Sequence, residues 1–411
     1  MEDTLTFTGI NKRFFEYQRN NFEARVGNCY ATFGSGLVLR TFEDQRIHLD
    51  RDFEGGKIIG LWRDLEGTAL AGKPNKDWSN QREDLFCGLE VKVNLSQNYN
   101  LGGSYLRLVA TGNVNDPSWS KPVEELFEIN NKISLLDFEI YQNYARRFTW
   151  GKLDPLWGWI GTDNLKGKAF YQSINFSLPG FGFLLEIKNY RNFDFKYNAP
   201  PTCNRSERLV NNGKDEYGGQ IETTFSPLSA WSFLVNASLN SSKKGGQKLS
   251  EIHLETKKEF LNGGFGELTF LFQQEKKLEA GIEKKQFLGP QIRFSLPLPK
   301  NNSASGEVGY QYYQMNYLTS KLDYHFLPLL FSLNFHSWYI ISLSGEFSSK
   351  SIPEYENKSQ WFGLEIGWDL SEKHQLRVRY SSERGGLVCS GGICRYEPAF
   401  KGLKISLSSR I

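Results

Sequence analysis

The chain lacks any long hydrophobic run and shows almost no helical periodicity. Its most apolar stretch, residues 326–335 (FLPLLFSLNF), is far shorter than the ~18 continuous apolar residues of a membrane-spanning helix, and it contains Pro328. These absences exclude a helical membrane protein. They do not exclude a barrel of strands, because the lumen-facing half of such strands is polar and keeps the mean hydropathy low, here −0.48.

Cysteine and net charge are also scarce. The 411 residues include 5 cysteines, which are few for a disulfide scaffold, and their odd number leaves at least one unpaired within a monomer. The 49 Lys and Arg nearly balance the 46 Asp and Glu, and the two signs are interleaved, so we expect no nucleic-acid partner. The first residues lack a basic start followed by an apolar core, so no signal peptide is predicted. Either a signal has been removed or the protein is cytosolic, and the strands described below favour removal.

What the sequence has in abundance is two-faced strands. Aromatic residues make up 15% of the chain, and polar and apolar residues alternate with a period of two over most of its length. Such alternation places one residue type on each face of a strand. A hairpin is predicted around Asn20 and Asn21. Other strand-like segments include 57–62, 68–72, 89–96, 341–348 and 404–411.

Short and long connectors alternate between these strands. The short ones lie near 63–67, 97–100, 131–134, 179–182, 227–230, 261–265, 299–305, 334–337 and 371–374. The long ones lie at 73–84, 111–123, 149–167, 191–217, 241–249, 349–358 and 384–401. Short turns at one end and long loops at the other are typical of outer-membrane barrels. The sequence therefore predicts an all-β fold, an antiparallel up-and-down transmembrane β-barrel of about eighteen strands within a range of sixteen to twenty-two.

Two motifs resemble an uncharacterised family of bacterial outer-membrane, porin-like β-barrels. Members carry a Tyr-Ala-x-Phe-Gly-x-Gly-Leu strand and a Cys-x-Gly-Gly-x-Cys loop before the last strand. The matching residues are Tyr30, Ala31, Thr32, Phe33, Gly34, Gly36 and Leu37, then Cys389, Gly391, Gly392, Cys394 and Arg395. The resemblance implies the barrel fold and the outer-membrane location, and it implies no activity.

Cys389 and Cys394 bracket a short turn, a spacing that can close a disulfide if the Cα atoms come within ~7 Å. The expected oxidising location favours this disulfide over free thiols. A metal site would need further ligands, and 384–401 contains no other Cys or His. Cys29 and Cys87 are expected to be buried small apolar residues, and Cys203 has no obvious partner.

No catalytic or cofactor site is predicted. The histidines, at 48, 253, 325, 336 and 374, show no metal-binding spacing, and neither a serine-nucleophile motif nor a phosphate loop is present. His253, beside Glu251 and Glu255, is interpreted as a solvated lumen residue. We therefore expect neither enzymatic activity, nor a cofactor, nor a metal, with a barrel hydrolase as a remote alternative.

The polar sides of the strands give a set of residues predicted to face a lumen. They are Glu90, Lys92, Asp137, Glu139, His253, Glu255, Glu267, Glu346, Glu365, Arg377, Arg379, Lys404 and Arg410. In a water-filled pore, such charges would tune ion or solute selectivity. Alternatively, they pair with one another and close the lumen.

The sequence is thus interpreted as one domain, 1–411, in which 1–21 are the remnant of a longer amino-terminal region. The predicted function is a passive pore for small hydrophilic solutes or ions in the outer membrane of a diderm bacterium. The main alternative is a plugged barrel that serves as a surface binding or assembly protein. The expected partners are outer-membrane lipid, small solutes or ions, and further copies of the chain. One of the loops 149–167 and 191–217 is expected to fold inward as a constriction.

Overall fold

The computed structural model describes residues 12–44, 49–75, 82, 84–109, 123–150, 165–278, 281–317, 320–336, 338–352, 358–371, 373–390 and 393–409. These residues form 26 strands, and 22 of them belong to one antiparallel sheet. In this part of the chain, no helix is long and apolar enough to cross a membrane.

The first sixteen strands run from Phe14 to Lys277. They are β1 (Phe14–Arg19), β2 (Phe22–Cys29), β3 (Glu43–Asp44), β4 (Leu49–Asp50), β5 (Phe53–Trp62), β6 (Leu65–Pro74), β7 (Leu85–Ser96), β8 (Tyr99–Val109), β9 (Val123–Leu135), β10 (Phe138–Trp150), β11 (Leu165–Leu178), β12 (Phe181–Arg191), β13 (Glu216–Leu228), β14 (Trp231–Ser242), β15 (Gln247–Glu259) and β16 (Phe265–Lys277).

The remaining ten strands run from Ile282 to Ser409. They are β17 (Ile282–Leu298), β18 (Asn302–Gly309), β19 (Gln311–Tyr317), β20 (Lys321–Phe335), β21 (Tyr339–Ile352), β22 (Lys358–Ser371), β23 (His374–Glu383), β24 (Gly386–Ser390), β25 (Ile393–Glu397) and β26 (Phe400–Ser409).

Nearly every strand pairs with its neighbours in sequence. The exceptions are two small hairpins, β3–β4 and β24–β25, which stand outside the sheet, so that β2 pairs with β5 and β23 with β26. A break at Tyr310 divides one span into β18 and β19, and both lie between β17 and β20. Within the described residues, β1 pairs only with β2 and β26 only with β23. Closure of the sheet into a barrel therefore stays a prediction.

One face of the sheet is apolar and exposed along most of its length. On β7, Leu89 is 48% exposed while the next residue, Glu90, is 3% exposed on the opposite face. On β15, the same alternation separates Ile252, at 45%, from Glu251, at 2%. We call the exposed side the apolar face and the other the polar face. This arrangement is the inverse of a water-soluble sheet, which buries its apolar face.

The predicted central value of eighteen strands is too low, because the sheet has 22 among the described residues, which is the upper limit of the predicted range. The predicted turn at 131–134 lies inside β9, and the chain instead turns at Leu136 and Asp137, where Leu136 has a φ of 51°. The break at Tyr310 adds a further strand to the count. The predicted long loop at 241–249 is also wrong, since β14 and β15 are joined by the short turn 243–246.

Candidate functional site

The residues predicted to line a lumen form local ion pairs on the polar face. On β23, Arg377 and Arg379 alternate with Tyr380, which is 59% exposed on the apolar face. The contacts are Lys92–Glu90 (3.0 Å), Lys132–Glu139 (2.7 Å), Arg293–Glu267 (3.3 Å), Arg384–Glu346 (3.1 Å), Arg377–Glu365 (2.9 Å), Arg379–Glu383 (3.3 Å), Lys404–Glu383 (3.0 Å) and His253 Nε2–Glu255 (3.4 Å). Asp137 lies in the β9–β10 turn, and Arg410 lies outside the described residues. The structure therefore brings these charges together in pairs along the face rather than in one cluster.

The long loop 192–215 lies across the polar face. Near its start, Asp194 contacts Arg147 of β10 at 3.1 Å. The hydroxyl of Tyr197 donates to Asp84 Oδ2, just before β7, at 2.7 Å. Further along, Arg208 contacts Glu275 of β16 at 2.7 Å. The packing of this loop on the polar face agrees with the prediction that one of the two longest loops folds inward, and its role as a constriction stays a prediction. Residues 151–164 of the other loop lie outside the described residues.

A buried ion pair anchors the base of the 192–215 loop. Lys188, near the end of β12, contacts Glu216, the first residue of β13, at 2.5 Å, and both side chains are fully buried. The second oxygen of Glu216 accepts hydrogen bonds from the backbone N–H groups of Asn211 (2.7 Å) and Gly213 (3.3 Å). A buried charge needs such compensation, because its desolvation costs several kcal/mol. The pair therefore joins the strands on either side of the loop at a site from which water is excluded.

The segment 30–42, which carries the glycine-rich motif, lies on the same face. The backbone N–H of Gly34 donates to Glu90 Oε1 at 2.7 Å. Gly34 has a φ of +51°, and an added Cβ would lie 1.6 Å from Glu128 Oε1. A side chain at this position is therefore excluded twice, by the left-handed backbone conformation and by the contact with the sheet. This closeness gives a structural reason for the glycine in the motif.

Segments 30–42 and 192–215, which we call the two inward segments, are joined by hydrogen bonds. The backbone N–H of Ala199 donates to the carbonyl of Gly36 at 3.1 Å. The backbone N–H of Arg40 donates to the backbone carbonyl of Tyr197 at 3.0 Å. The side-chain amide of Asn198 donates to the carbonyl of Leu37 at 3.0 Å. Segments 30–42 and 192–215 therefore form one layer over the polar face of the amino-terminal strands.

An apolar core fills the space between this layer and the sheet. Its strand residues face the polar side on β2 and on β5 to β12, where a uniformly water-filled lumen would have polar side chains. The buried members are Cys29, Phe33, Leu37, Val38, Leu39, Phe53, Leu70, Phe86, Leu106, Leu108, Leu126, Ala145, Ala169, Tyr171, Tyr190, Phe193, Phe195, Tyr197 and Cys203. The polar face in this region is thus covered and dry.

The polar face of the carboxy-terminal strands is more accessible. The side chains of Arg293, Lys350 and Lys404 are each about half exposed. A cavity of about 570 Å³ on these strands is lined by charged residues, among them Glu346, Arg379 and Glu383, and by apolar residues, among them Leu329, Leu330 and Phe362. A second cavity, of about 510 Å³, lies between the two inward segments and β12–β13, and its lining includes Arg40, Glu186, Thr202, Glu207 and Gln220. The second cavity is mainly polar and suits small hydrophilic molecules, whereas the first has a mixed lining.

Several buried polar residues were missed by the sequence reasoning. Glu128, Asn143 and Asn236 are each at most 2% exposed on the polar face. The signal for Glu128 was present, because it alternates with Phe127 and Ile129, which are 45% and 63% exposed. Their partners on the inward segments had no such signal, since loop packing leaves no periodicity in the sequence.

The pKa values of several ionisable groups near the strand ends are shifted. Burial raises the pKa of Tyr30, and its hydrogen bond to Asp50 raises it further. Burial alone would lower the pKa of Lys12, but contacts with Glu43, Tyr30 and Asp50 outweigh it and raise this pKa above the usual lysine range. In the β14–β15 turn, burial and the nearby Arg191 lower the pKa of Lys243 to about 8.

The cysteines follow the predictions in part. Cys29 and Cys203 are buried free thiols, and burial raises the pKa of Cys203. Cys87 is a free thiol too, but it is exposed on the apolar face of β7, so the expectation that it is buried is wrong. The backbones of Cys389 and Cys394 face each other across the β24–β25 hairpin. Their side chains lie outside the described residues, and the disulfide stays a prediction. Among the described residues, no group of three or more acidic, His or Cys side chains is arranged to hold a metal.

The sequence matches a family model over residues 2–213 and 295–411, which together make up most of the chain. The model is described as a family of unknown function (DUF6029). The chain belongs to this family. No curated protein matches this DUF6029 member.

Several solved structures resemble the DUF6029 chain at low identity. The ferric-catecholate import receptor Fiu from E. coli K12, in its open form, is 9% identical with a TM-score of 0.45, over 96% of this chain and 78% of the receptor. The P pilus usher (PapC) translocation pore is 10% identical with a TM-score of 0.48, over 96% of this chain and 85% of the usher. A mutant ferric enterobactin receptor (PfeA) from Pseudomonas aeruginosa is 9% identical with a TM-score of 0.45, over 94% of this chain and 76% of the receptor.

Proposed function

We propose that the chain is a transmembrane β-barrel of the outer membrane of a diderm bacterium. The exposed apolar face supports this proposal, because large contiguous apolar surfaces are rare on soluble monomers and fit a lipid environment. The ends of the sheet agree with it. Most short turns join strands at one end, and the strand ends that flank the long intervals 30–52, 110–122, 151–164, 192–215 and 384–399 all lie at the other. Closure requires that β1 and β26 meet.

Within this barrel, we propose a passive pore for small hydrophilic solutes or ions. The uneven cover of the polar face is the observation that carries the proposal. The 30–42 and 192–215 segments pack over the amino-terminal strands, while charged side chains such as Arg293 and Lys404 remain half exposed on the carboxy-terminal strands. Solutes would pass along the uncovered part, with the 192–215 loop as the constriction.

Single-channel recording in planar bilayers tests the pore. The folded protein, identified by heat-modifiable migration in gels, is expected to give ohmic conductance at low voltage. A double variant, Arg205→Gln/Arg208→Gln, removes the contacts that hold the loop to Glu222 and Glu275 and should increase conductance or its fluctuations. Lys350→Gln serves as the control, because its pair with Asp323 is away from the loop. A folded protein that shows no conductance at any voltage would exclude the pore.

The charged lining of the uncovered half gives a selectivity test. Arg377 and Arg379 lie on the polar face, so their replacement by Glu should shift the reversal potential in a salt gradient toward cation preference. The matched variant Lys401→Glu changes a charge on the apolar face of β26 and should leave the reversal potential unchanged. An unchanged potential in the Arg377/Arg379 variant would show that these residues do not line the pathway.

A plugged barrel with a binding or assembly role is the second candidate. The apolar core under the two inward segments favours it, because a dry layer of this size resembles a folded plug more than a flexible loop. In that case, bilayers would show no conductance from the folded protein, and the same loop variants would alter the binding of a surface partner. Neither candidate function involves an enzymatic activity, a cofactor or a nucleic-acid partner. The proposed partners of the barrel are outer-membrane lipid and further copies of the chain.

The Cys389–Cys394 disulfide completes the proposal as a staple of the last long loop. The two residues are directly opposed in an antiparallel pair, where Cα separations of about 4.5–5.5 Å fall in the disulfide range. Denatured, non-reduced protein should then expose three reactive thiols, from Cys29, Cys87 and Cys203. Five reactive thiols would exclude the bond.

A further inference from the structure

A groove crosses the apolar face of the carboxy-terminal strands, from β17 to β26, and has a volume of about 920 Å³. Leu343, Phe362 and Tyr380 line it, and each is more than half exposed on that face. The lining residues of the polar face, such as Ser344 and Gly363, each lie between two lining residues of the apolar face in sequence, so their backbone atoms are shared by both faces. The groove therefore opens toward the surroundings of the sheet and not toward the proposed solute pathway.

Two glycines on the apolar face create this depression. Gly306 is opposite Phe294, and Gly345 is opposite Phe362. An added Cβ at Gly306 would lie 2.5 Å from the Phe294 ring, and one at Gly345 would lie 3.1 Å from the Phe347 ring. Because the glycines have no side chains, these rings lie close to the backbone. The apolar surface is therefore lower here than where larger residues follow one another, and a ligand can approach the sheet closely.

The groove runs obliquely between the two ends of the strands. At one end, Phe294 lies near the short-turn end of β17. At the other, Lys358 is the first residue of β22 and Lys401 is the second residue of β26, both at the end with the long connectors. Neighbouring strands are about 4.8 Å apart, so the six steps from β17 to β26 span about 29 Å. This shape suits an extended acyl chain better than a compact molecule.

The end of the groove beside the long connectors is positively charged. Lys358 and Lys401 line it there, together with the hydroxyl-bearing Ser382. Among the described lining residues, the acidic one is Glu307, which lies on the polar face and contacts Arg293 at 3.3 Å. An apolar channel that ends at two lysines is complementary to a molecule with an apolar tail and a negatively charged head.

We propose that this groove binds a lipid with a phosphate headgroup and a net negative charge. The acyl chain lies in the apolar part of the groove, and the phosphate lies between Lys358 and Lys401. The site depends on the proposed barrel, because the apolar face meets lipid only in a membrane. It does not depend on conductance, since the groove and the proposed solute pathway are on opposite faces. Failure of the lipid site and failure of the pore are therefore separate results.

Native mass spectrometry of the full-length protein in a neutral detergent tests the site. The probes are phosphatidylglycerol, which is anionic, and phosphatidylcholine with the same acyl chains, which has no net charge. Heat-modifiable gel migration first shows that each protein is a folded barrel, so a failure of the barrel is seen before lipid is added. One phosphatidylglycerol should bind several times more tightly than the first phosphatidylcholine. Equal affinity for the two lipids would overturn the proposal.

Replacement of the two lysines tests the headgroup contact. A basic residue beside an anionic lipid headgroup strengthens binding about fivefold, so Lys358→Gln/Lys401→Gln should weaken phosphatidylglycerol binding by at least about tenfold. Phosphatidylcholine binding should not change. Lys132→Gln/Lys350→Gln is the matched control, because it removes the same net charge from the polar face, and it should keep the wild-type preference. Wild-type affinity in the first variant, or an equal loss in both, would show that no lipid phosphate lies between Lys358 and Lys401.

Filling the groove tests the acyl-chain contact. Gly345→Leu places a side chain in the depression and should weaken phosphatidylglycerol binding severalfold. Gly60→Leu on β5 is the control, since Gly60 is opposite the exposed Phe22 on the same face and its added Cβ meets no atom within 4 Å. Its lipid binding should match that of the wild type. Unchanged binding in Gly345→Leu would overturn the proposal. Wild-type dimers that Gly345→Leu loses would assign the groove to a second copy of the chain and would overturn it too.

Discussion

The amino-terminal and carboxy-terminal parts of the sheet have the same apolar face but differ on the polar one. On β8, the inward positions Leu106 and Leu108 are apolar and buried, because the two inward segments pack on them. On β21, the inward positions include Ser342 and Ser344, and on β23 they include Arg377. The side chains of the apolar face are therefore of one type all along the sheet. The side chains of the polar face are apolar where the two loop segments pack on them and polar or charged elsewhere.

The buried pair Lys188–Glu216 in the covered part gives the largest predicted effect. Glu216→Gln leaves the Lys188 charge fully buried and uncompensated, which should lower the free energy of unfolding by about 3–5 kcal/mol. The measurement is urea unfolding in micelles.

An exposed pair in the uncovered part is the control for this prediction. Lys350 and Asp323 are 3.2 Å apart and nearly half exposed, so Lys350→Gln should cost no more than about 1 kcal/mol. Equal decreases in the free energy of unfolding of the two variants would mean that water reaches the Lys188–Glu216 pair. The two parts of the sheet would then not differ in burial as described.

The sequence predicts the covered part less well than the rest of the sheet. Period-two alternation was enough to place the hairpin at Asn20, the strand β7 and the final strand, because the apolar face is present in all of them. On β9, however, the inward positions include both Leu126 and Glu128, and both are buried. This mixed inward face weakens the alternation, and a turn is wrongly predicted inside β9.

Gly34 gives the next largest predicted effect, and it tests the contact of the 30–42 segment with the sheet. Gly34→Ala must place a Cβ against Glu128 and hold a left-handed φ, so the free energy of unfolding should fall by about 1–3 kcal/mol. Gly60→Ala on β5 is the matched control, since no atom lies within 4 Å of its added Cβ. Its stability should stay within about 0.5 kcal/mol of the wild type. Similar stability for both variants would show that Gly34 does not touch the sheet.

The candidate site was predictable in its charges but not in its contacts. Alternation identified Glu90, Arg377 and Lys404 from composition on one side of each strand. It could not identify Asp84 or Glu216, because their partners come from a loop whose path depends on tertiary packing. The inward position of the 192–215 loop was anticipated from its length alone, while its anchors were not.

The smallest predicted effect concerns Lys243, at the loop end of the covered part. Burial and the positive charge of Arg191 lower the pKa of Lys243 to about 8. At pH 8, the Lys243 amine is therefore neutral in about half of the molecules. Because only the neutral amine reacts with acylating reagents, the modification rate of this residue should rise with pH and have a midpoint near 8. Peptide mass spectrometry after brief labelling at a series of pH values measures that midpoint. Arg191→Gln removes the repulsion and should move the midpoint to higher pH, whereas Arg63→Gln, at a short turn, should not move it. An unchanged midpoint in Arg191→Gln would show that the loop end of β12 does not approach the β14–β15 turn as closely as the packed layer requires.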